Sequence, residues 1–176
     1  RGGFDAVIGN PPYIRIQTMK EWAPLEVEFY KTAFAAAAKG NYDIYVTFVE
    51  KGLGLLNEKG RLGFILPHKF FNAQYGEPLR LLISQGKHLA EVVHFGHEQV
   101  FVGATTYTCL MFLDKAASKH LDFVKVDDLA EWSRSGAADR SVLPVAAVTS
   151  GDWTFVAGKG AGLLERLGKI SPKLED

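Results

Sequence analysis

The chain has 176 residues, 47% hydrophobic and 23% charged, which is enough apolar material for one packed core and too little charge for a disordered tail. Its 20 basic and 20 acidic residues cancel to a formal net charge of zero, so no global field attracts nucleic acid and any such contact must rest on a local patch. Cys109 is the only cysteine, which excludes an internal disulfide and a cysteine zinc site and agrees with a cytoplasmic location. No run reaches the ~18 apolar residues of a membrane helix, and no basic stretch precedes an apolar one as in a signal peptide, so no membrane partner is expected. The chain opens on Arg1 and reaches an expected core strand three residues later, so it reads as a piece of a longer polypeptide.

Phe4 to Gly9 (FDAVIG) is an apolar, partly β-branched run bounded by Gly2-Gly3 and by Gly9-Asn10-Pro11-Pro12, the pattern of a buried parallel strand ending in a rigid loop. A polar loop follows. Pro24 to Ala38 then starts with proline in the first turn, continues through helix formers and stops at Lys39-Gly40. Tyr42 to Leu56 predicts a second helix with Ile44, Phe48, Leu53 and Leu56 on one face, weakened by Gly52 and Gly54. Asn57 to Gly60 reads as a turn, and Arg61 to Leu66 as a strand closed by Pro67.

Gly76 to Gln85 predicts a short helix with Leu79, Leu82 and Ile83 aligned. Leu89 to Phe95, Tyr107 to Leu113 and Leu121 to Val126 predict three more strands, the last two as an antiparallel edge hairpin. Strands separated by helices imply crossovers, so the fold class is α/β, the C-terminal half of a doubly wound, mostly parallel sheet. After Asp127 the apolar periodicity decays, Ser133 to Arg140 reads as a polar turn or linker, and Gly160 to Lys169 as a short helix.

Asn10-Pro11-Pro12-Tyr13 stands at the carboxyl end of the first strand, where open α/β sheets bind ligands. The side-chain carbonyl of Asn10 and the backbone carbonyl of Pro11 are two acceptors on a stretch stiffened by proline. Such a pair suits a planar exocyclic amine such as that of adenine, whose lone pair must be turned out of the ring before it can be alkylated. Tyr13 adds an aromatic face for a base rotated out of a duplex. The same four residues also read as a plain turn followed by a half-buried packing tyrosine.

These residues resemble amino-methyltransferases that use S-adenosylmethionine, in particular the adenine-N6 DNA methylases of bifunctional restriction-modification enzymes and related phage-defence systems. FDAVIGNPPY is similar to that family's fourth motif, YDIYVTFVEKGLGLL to the fifth and GRLGFILPHKFF to the sixth. LRLLISQGKHLAEVVHFGHEQVF with ATTYTCLMFL resembles the seventh and eighth. The resemblance implies a Rossmann-like methyltransferase domain over residues 1–126, with residues 127–176 as a linker and the start of a target-recognition region. It implies Asn10, Pro11, Pro12 and Tyr13 as catalytic residues, Asn10 also touching the cofactor, S-adenosylmethionine. Phe101 falls where the family carries its second stacking aromatic, and it also reads as a buried strand-end residue.

The implied partner is double-stranded DNA, with nuclease and target-recognition domains possible in the same full-length polypeptide. Arg15, Lys20 and Lys69 follow strand ends where phosphates would pass, and Arg15 and Lys69 are taken as substrate contacts. Thr105, Thr106 and Tyr107 share the loop of Phe101 and equally suit a β pleat. The family's main cofactor motifs are missing from the chain, so the fragment alone is expected not to methylate. NPPY also occurs in methyltransferases of a protein glutamine or an RNA base, and a non-catalytic DNA-binding or assembly module on the same fold stays open. No metal is expected: His68, His88, His94, His97 and His120 lack acidic partners at ligand spacing and read as surface or loop residues. Cys109 reads as a small core residue.

Overall fold

The computed structural model describes residues 2–101 and 106–158. Six strands, β1 (Phe4–Gly9), β2 (Leu56–Pro67), β3 (Leu89–His94), β4 (Thr108–Asp114), β5 (His120–Lys125) and β6 (Asp139–Pro144), form one sheet in the order β1-β2-β4-β3-β5-β6. The helices are α1 (Ile16–Trp22), α2 (Pro24–Ala33), α3 (Tyr45–Leu55), α4 (Glu77–Gln85) and α5 (Leu129–Ser135). β1 runs parallel to β2 and β3 to β5, while β4 is antiparallel to both its neighbours and β6 to β5. Four strands, β1, β2, β3 and β5, therefore share one direction, as the α/β reading expects. The antiparallel edge pair is β5–β6. The expected hairpin of 107–113 with 121–126 does not form, because β4 is inserted between β2 and β3.

Other expectations are corrected by long-range packing. The first strand is parallel but not buried: β2 pairs with one side of β1, no described strand pairs with the other, and Phe4 and Ile8 are 61% and 86% exposed. The polar loop after Tyr13 contains α1, whose Ile16 and Met19 are buried one turn apart. Pro24–Ala38 breaks at Phe34, with a 3-10 turn over Ala35–Ala37. In α3 the buried face is Tyr45, Val46, Val49, Gly52 and Leu53, with Phe48 exposed. A Cβ on Gly52 would lie 2.6 Å from the Leu62 side chain, so this glycine lets α3 approach β2 closely.

Asn57–Gly60, expected as a turn, is instead part of β2, where the register against β1 breaks and Asn57 Oδ1 accepts from Lys59 N–H at 2.9 Å. Ser133–Arg140 is no linker in structure. It holds the end of α5, a left-handed Gly136 cap and the first residues of β6. The packed core extends through Trp153 and Ala157. The helix expected over 160–169 lies outside the described residues. The carboxyl ends of β1, β2, β3 and β5 face one side, where Asn10, His68, Phe95 and Val126 follow the strands.

Candidate functional site

Gly9, the last residue of β1, pairs with Phe64 of β2, and the chain then leaves the ladder through Asn10–Tyr13. Asn10 is exposed, Pro11 buried, Pro12 exposed and Tyr13 half-buried. Among the described residues neither the Asn10 side chain nor the Pro11 carbonyl has a hydrogen-bond partner, so both acceptors are unspent. Asn10 is exposed, so its side-chain carbonyl is open to solvent or to a ligand group.

Tyr13 is held from two sides. Its hydroxyl donates to the Ile65 carbonyl at 3.1 Å, and the Tyr45 ring meets it edge to face at 6.3 Å and 83°. Burial, with Cys109 nearby, pushes its phenol up to about 12, so it stays a neutral donor. Its hydroxyl is thus committed to β2 and its ring is what remains to offer. Behind it the Tyr45 and Tyr75 hydroxyls lie 2.9 Å apart, and Tyr75 donates on to Asp43 Oδ2 at 3.5 Å. Tyr45, Tyr75 and Asp43 were not singled out from the sequence. Their pairing spans some thirty residues, so no local pattern points to it.

The segment after Tyr13 is tied to the start of α3: Ile44 N–H donates to Ile14 O at 2.8 Å and Ile16 N–H to Tyr42 O at 2.9 Å. This brings Arg15 beside Asp43 in an isolated antiparallel bridge. Burial raises the Asp43 carboxyl, and Lys69 and Arg15 oppose that rise, so both cations lie within electrostatic reach of it. Arg15 and Lys69 are both exposed. Lys20 is exposed on α1, and so is not on a loop.

Phe101 is half-buried, and no ring contact joins it to Tyr13 among the described residues. Thr105 lies outside the described residues, Thr106 is half-buried and Tyr107 exposed. Cys109 is fully buried in β4, and burial pushes its thiol up, which makes it an inert packing residue.

The histidines are not all surface residues. His68, His88 and His94 are half-buried, and the His68 and His94 rings lie 4.3 Å apart, brought together because β4 seats β3 near β2. Among the described residues no group of three or more His, Cys, Asp or Glu side chains is arranged to hold a metal ion, and no helix is long and apolar enough to cross a membrane.

Residues 1–101 match the family described as Eco57I restriction-modification methylase. The chain is 40% identical over 129 residues to the type II restriction enzyme and methyltransferase RM.Eco57I of Escherichia coli, covering 73% of this chain and 13% of that protein. It spans 13% to 32% of the length of three such curated relatives. Among solved structures it is similar to a Listeria monocytogenes protein assigned to the class I S-adenosylmethionine-dependent methyltransferases, with a TM-score of 0.60, 18% identity and 77% and 41% of the two chains covered. The type IIG restriction endonuclease BpuSI gives a TM-score of 0.63 at 12% identity, over 93% of this chain and 22% of that one. At these identities the two structures speak to the fold alone, and they agree with the observed sheet.

Proposed function

The chain belongs to the Eco57I restriction-modification methylase family, and from that premise we propose that it carries the base pocket of an enzyme that methylates the N6 amine of an adenine in DNA. The observation that carries this reading is the pair of unspent acceptors, Asn10 Oδ1 and Pro11 O, at the carboxyl end of β1. Each takes one N6 hydrogen. That holds the amine pyramidal, with its lone pair aimed away from the ring, and meets the positive charge that grows on nitrogen during transfer. S-adenosylmethionine, when bound, supplies the electrophilic methyl group.

Tyr13 stacks on the extruded base, and Phe101 closes its other face. Arg15 and Lys69 hold the backbone phosphates beside it, with Asp43 limiting how far each can swing. Asn10 is the residue of this chain that meets the methyl donor. Asp5, the other polar side chain near the exposed face of β1, is already committed to Asn57 Nδ2 at 2.6 Å, so the residues present fit only an edge of a cofactor site. RM.Eco57I is named as both a restriction enzyme and a methyltransferase, and that likeness supports nuclease and target-recognition domains elsewhere in the full-length polypeptide as part of the same proposal.

Asn10→Ala in the intact protein is the test. Methyl transfer to DNA is expected to drop about 10²–10³-fold, the usual effect of losing one preorganised polar contact at the reacting atom, while S-adenosylmethionine binding is retained. Near-normal turnover would sink the reading. The 176 residues alone are expected to give no turnover with labelled cofactor and adenine-containing DNA, and measurable transfer would overturn that part.

A further inference from the structure

On the far side of β2 from Tyr13, at the same end of the sheet, a cavity of about 530 Å³ opens between the carboxyl ends of β3 and β5 and the segment 153–155. That volume is in the range of small-molecule sites. Its floor is a run of rings: Phe71 meets Trp153 at 5.4 Å, Trp153 meets Phe155 at 5.8 Å and Phe155 meets Phe123 at 5.4 Å. Phe155 is the only one of the four that is partly exposed. The floor is rigid. Arg80, 3% exposed, donates to the carbonyls of Phe70, Ala73 and Ser150, and Trp153 N–H donates to Phe71 O at 2.9 Å.

One wall is formed by His68 and His94. Gly96 N–H donates to His94 Nδ1 at 3.0 Å, so the ring proton sits on Nε2, a donor with no protein acceptor among the described residues. Burial, with His68, Lys125 and His97 nearby, lowers His94 to about 4, which keeps this donor on a neutral ring. His68 Nε2 is buried with no partner. Such unspent polar atoms in a ring-lined cavity are rare unless a ligand or water takes them.

Charge at the rim narrows the ligand. Lys125 is paired with Asp127 at 2.7 Å, and Glu98 adds a second carboxylate, so there is no surplus positive charge for a phosphate. A flat, uncharged ring bearing hydrogen-bond acceptors fits the cavity, and a nucleobase is such a ring. Tyr107, just before β4, lies beside the same histidines: its ring stacks on His68 at 6.5 Å and 17° and meets His97 at 5.2 Å.

We propose that this cavity binds a second unpaired nucleobase, stacked on Phe155 and accepting a hydrogen bond from His94 Nε2. The base comes either from a DNA strand crossing this end of the sheet or from a free nucleoside. Only the first source rests on the methyl-transfer reading above.

Photocrosslinking distinguishes the sources. In one arm, 5-iodouracil replaces successive bases on both strands of a duplex that the intact protein binds. In the other, 8-azidoadenosine is offered without DNA, and adducts are mapped by peptide mass spectrometry. Adducts on the peptide carrying Trp153 and Phe155, or on that carrying His94, support the pocket. They name DNA as the source in the first arm, or a free nucleoside if they appear in the second and are competed by unlabelled adenosine. Phe155→Leu keeps the apolar volume but loses the ring face, and is expected to cut labelling about tenfold. His94→Gln, which disturbs the floor less, is expected to cut it several-fold. Absence of cavity adducts from both probes, or labelling unchanged in both variants, overturns the proposal. Methylation measured in the same samples separates the two readings: N6-methyladenine without cavity adducts leaves the first standing, and cavity adducts without methylated DNA leave only the second.

Discussion

At one edge of the sheet β1 leaves Phe4 and Ile8 in solvent, while toward the other β5, paired with β3 on one side and β6 on the other, buries Leu121, Phe123 and Val124. The proposed adenine pocket stands on the open edge. There its order comes from a few contacts, namely the two prolines, the Tyr13–Ile65 hydrogen bond and the Tyr13–Tyr45 ring contact. The histidine cavity stands near the closed edge, where four packed rings and a buried arginine over-determine the backbone. The contrast separates two ways of building a site. One presents rigid acceptors at a margin that something else must cover, and the other encloses a volume within the packed core.

The largest expected effect tests the closed edge. Phe123→Ala removes a ring packed against His94 and Phe155 and is expected to cost about 3–5 kcal/mol of unfolding free energy by urea titration. A cost under 1 kcal/mol would mean that this edge is not packed as described.

The pH dependence comes next. His94 titrates near 4 instead of 6.5 because of burial first and the nearby His68 second, and burial lowers His68 as well. The folded state then binds fewer protons than the unfolded one below pH 6.5, so stability is complete above that pH and is lost as pH falls toward about 4. The slope is at most about 1.4 kcal/mol per pH unit for each group. His94→Gln should flatten this acid limb, and an unchanged limb would assign it to other residues.

Smaller effects probe the open edge. Tyr13→Phe removes one hydrogen bond, to Ile65 O, and should cost about 1 kcal/mol in stability while keeping the stacking face. Ile8→Ala, at a position 86% exposed, should fall within about 0.5 kcal/mol for the 176-residue chain. A large loss there would remove the asymmetry between the edges.

Much of the fold was legible because it is written locally. All five expected strands formed, and Leu79 and Ile83 are the buried face of α4. What was missed depends on distant partners. α1 buries only Ile16 and Met19, and its start is held by the distant Tyr42, whose carbonyl accepts from Ile16 N–H. β6 leaves Val142 exposed and is recognisable only through its ladder with β5. The place of β4 between β2 and β3 fixes the sheet order, and no local pattern encodes it. The candidate site divides in the same way. Asn10 to Tyr13 are contiguous and could be read directly. The Tyr45–Tyr75–Asp43 support and the His68–His94 pair join residues some thirty positions apart, and only the folded chain brings them together.

The central claim, that Asn10 and Pro11 receive the amine of an adenine, is tested most directly by product analysis. The intact protein is incubated with methyl-labelled S-adenosylmethionine and duplex DNA, and the DNA is digested to nucleosides. The account predicts that the label co-migrates with N6-methyldeoxyadenosine and disappears when Asn10→Ala protein is used. Label on a cytosine, on RNA or on a protein glutamine, or adenine methylation that survives Asn10→Ala, would contradict it.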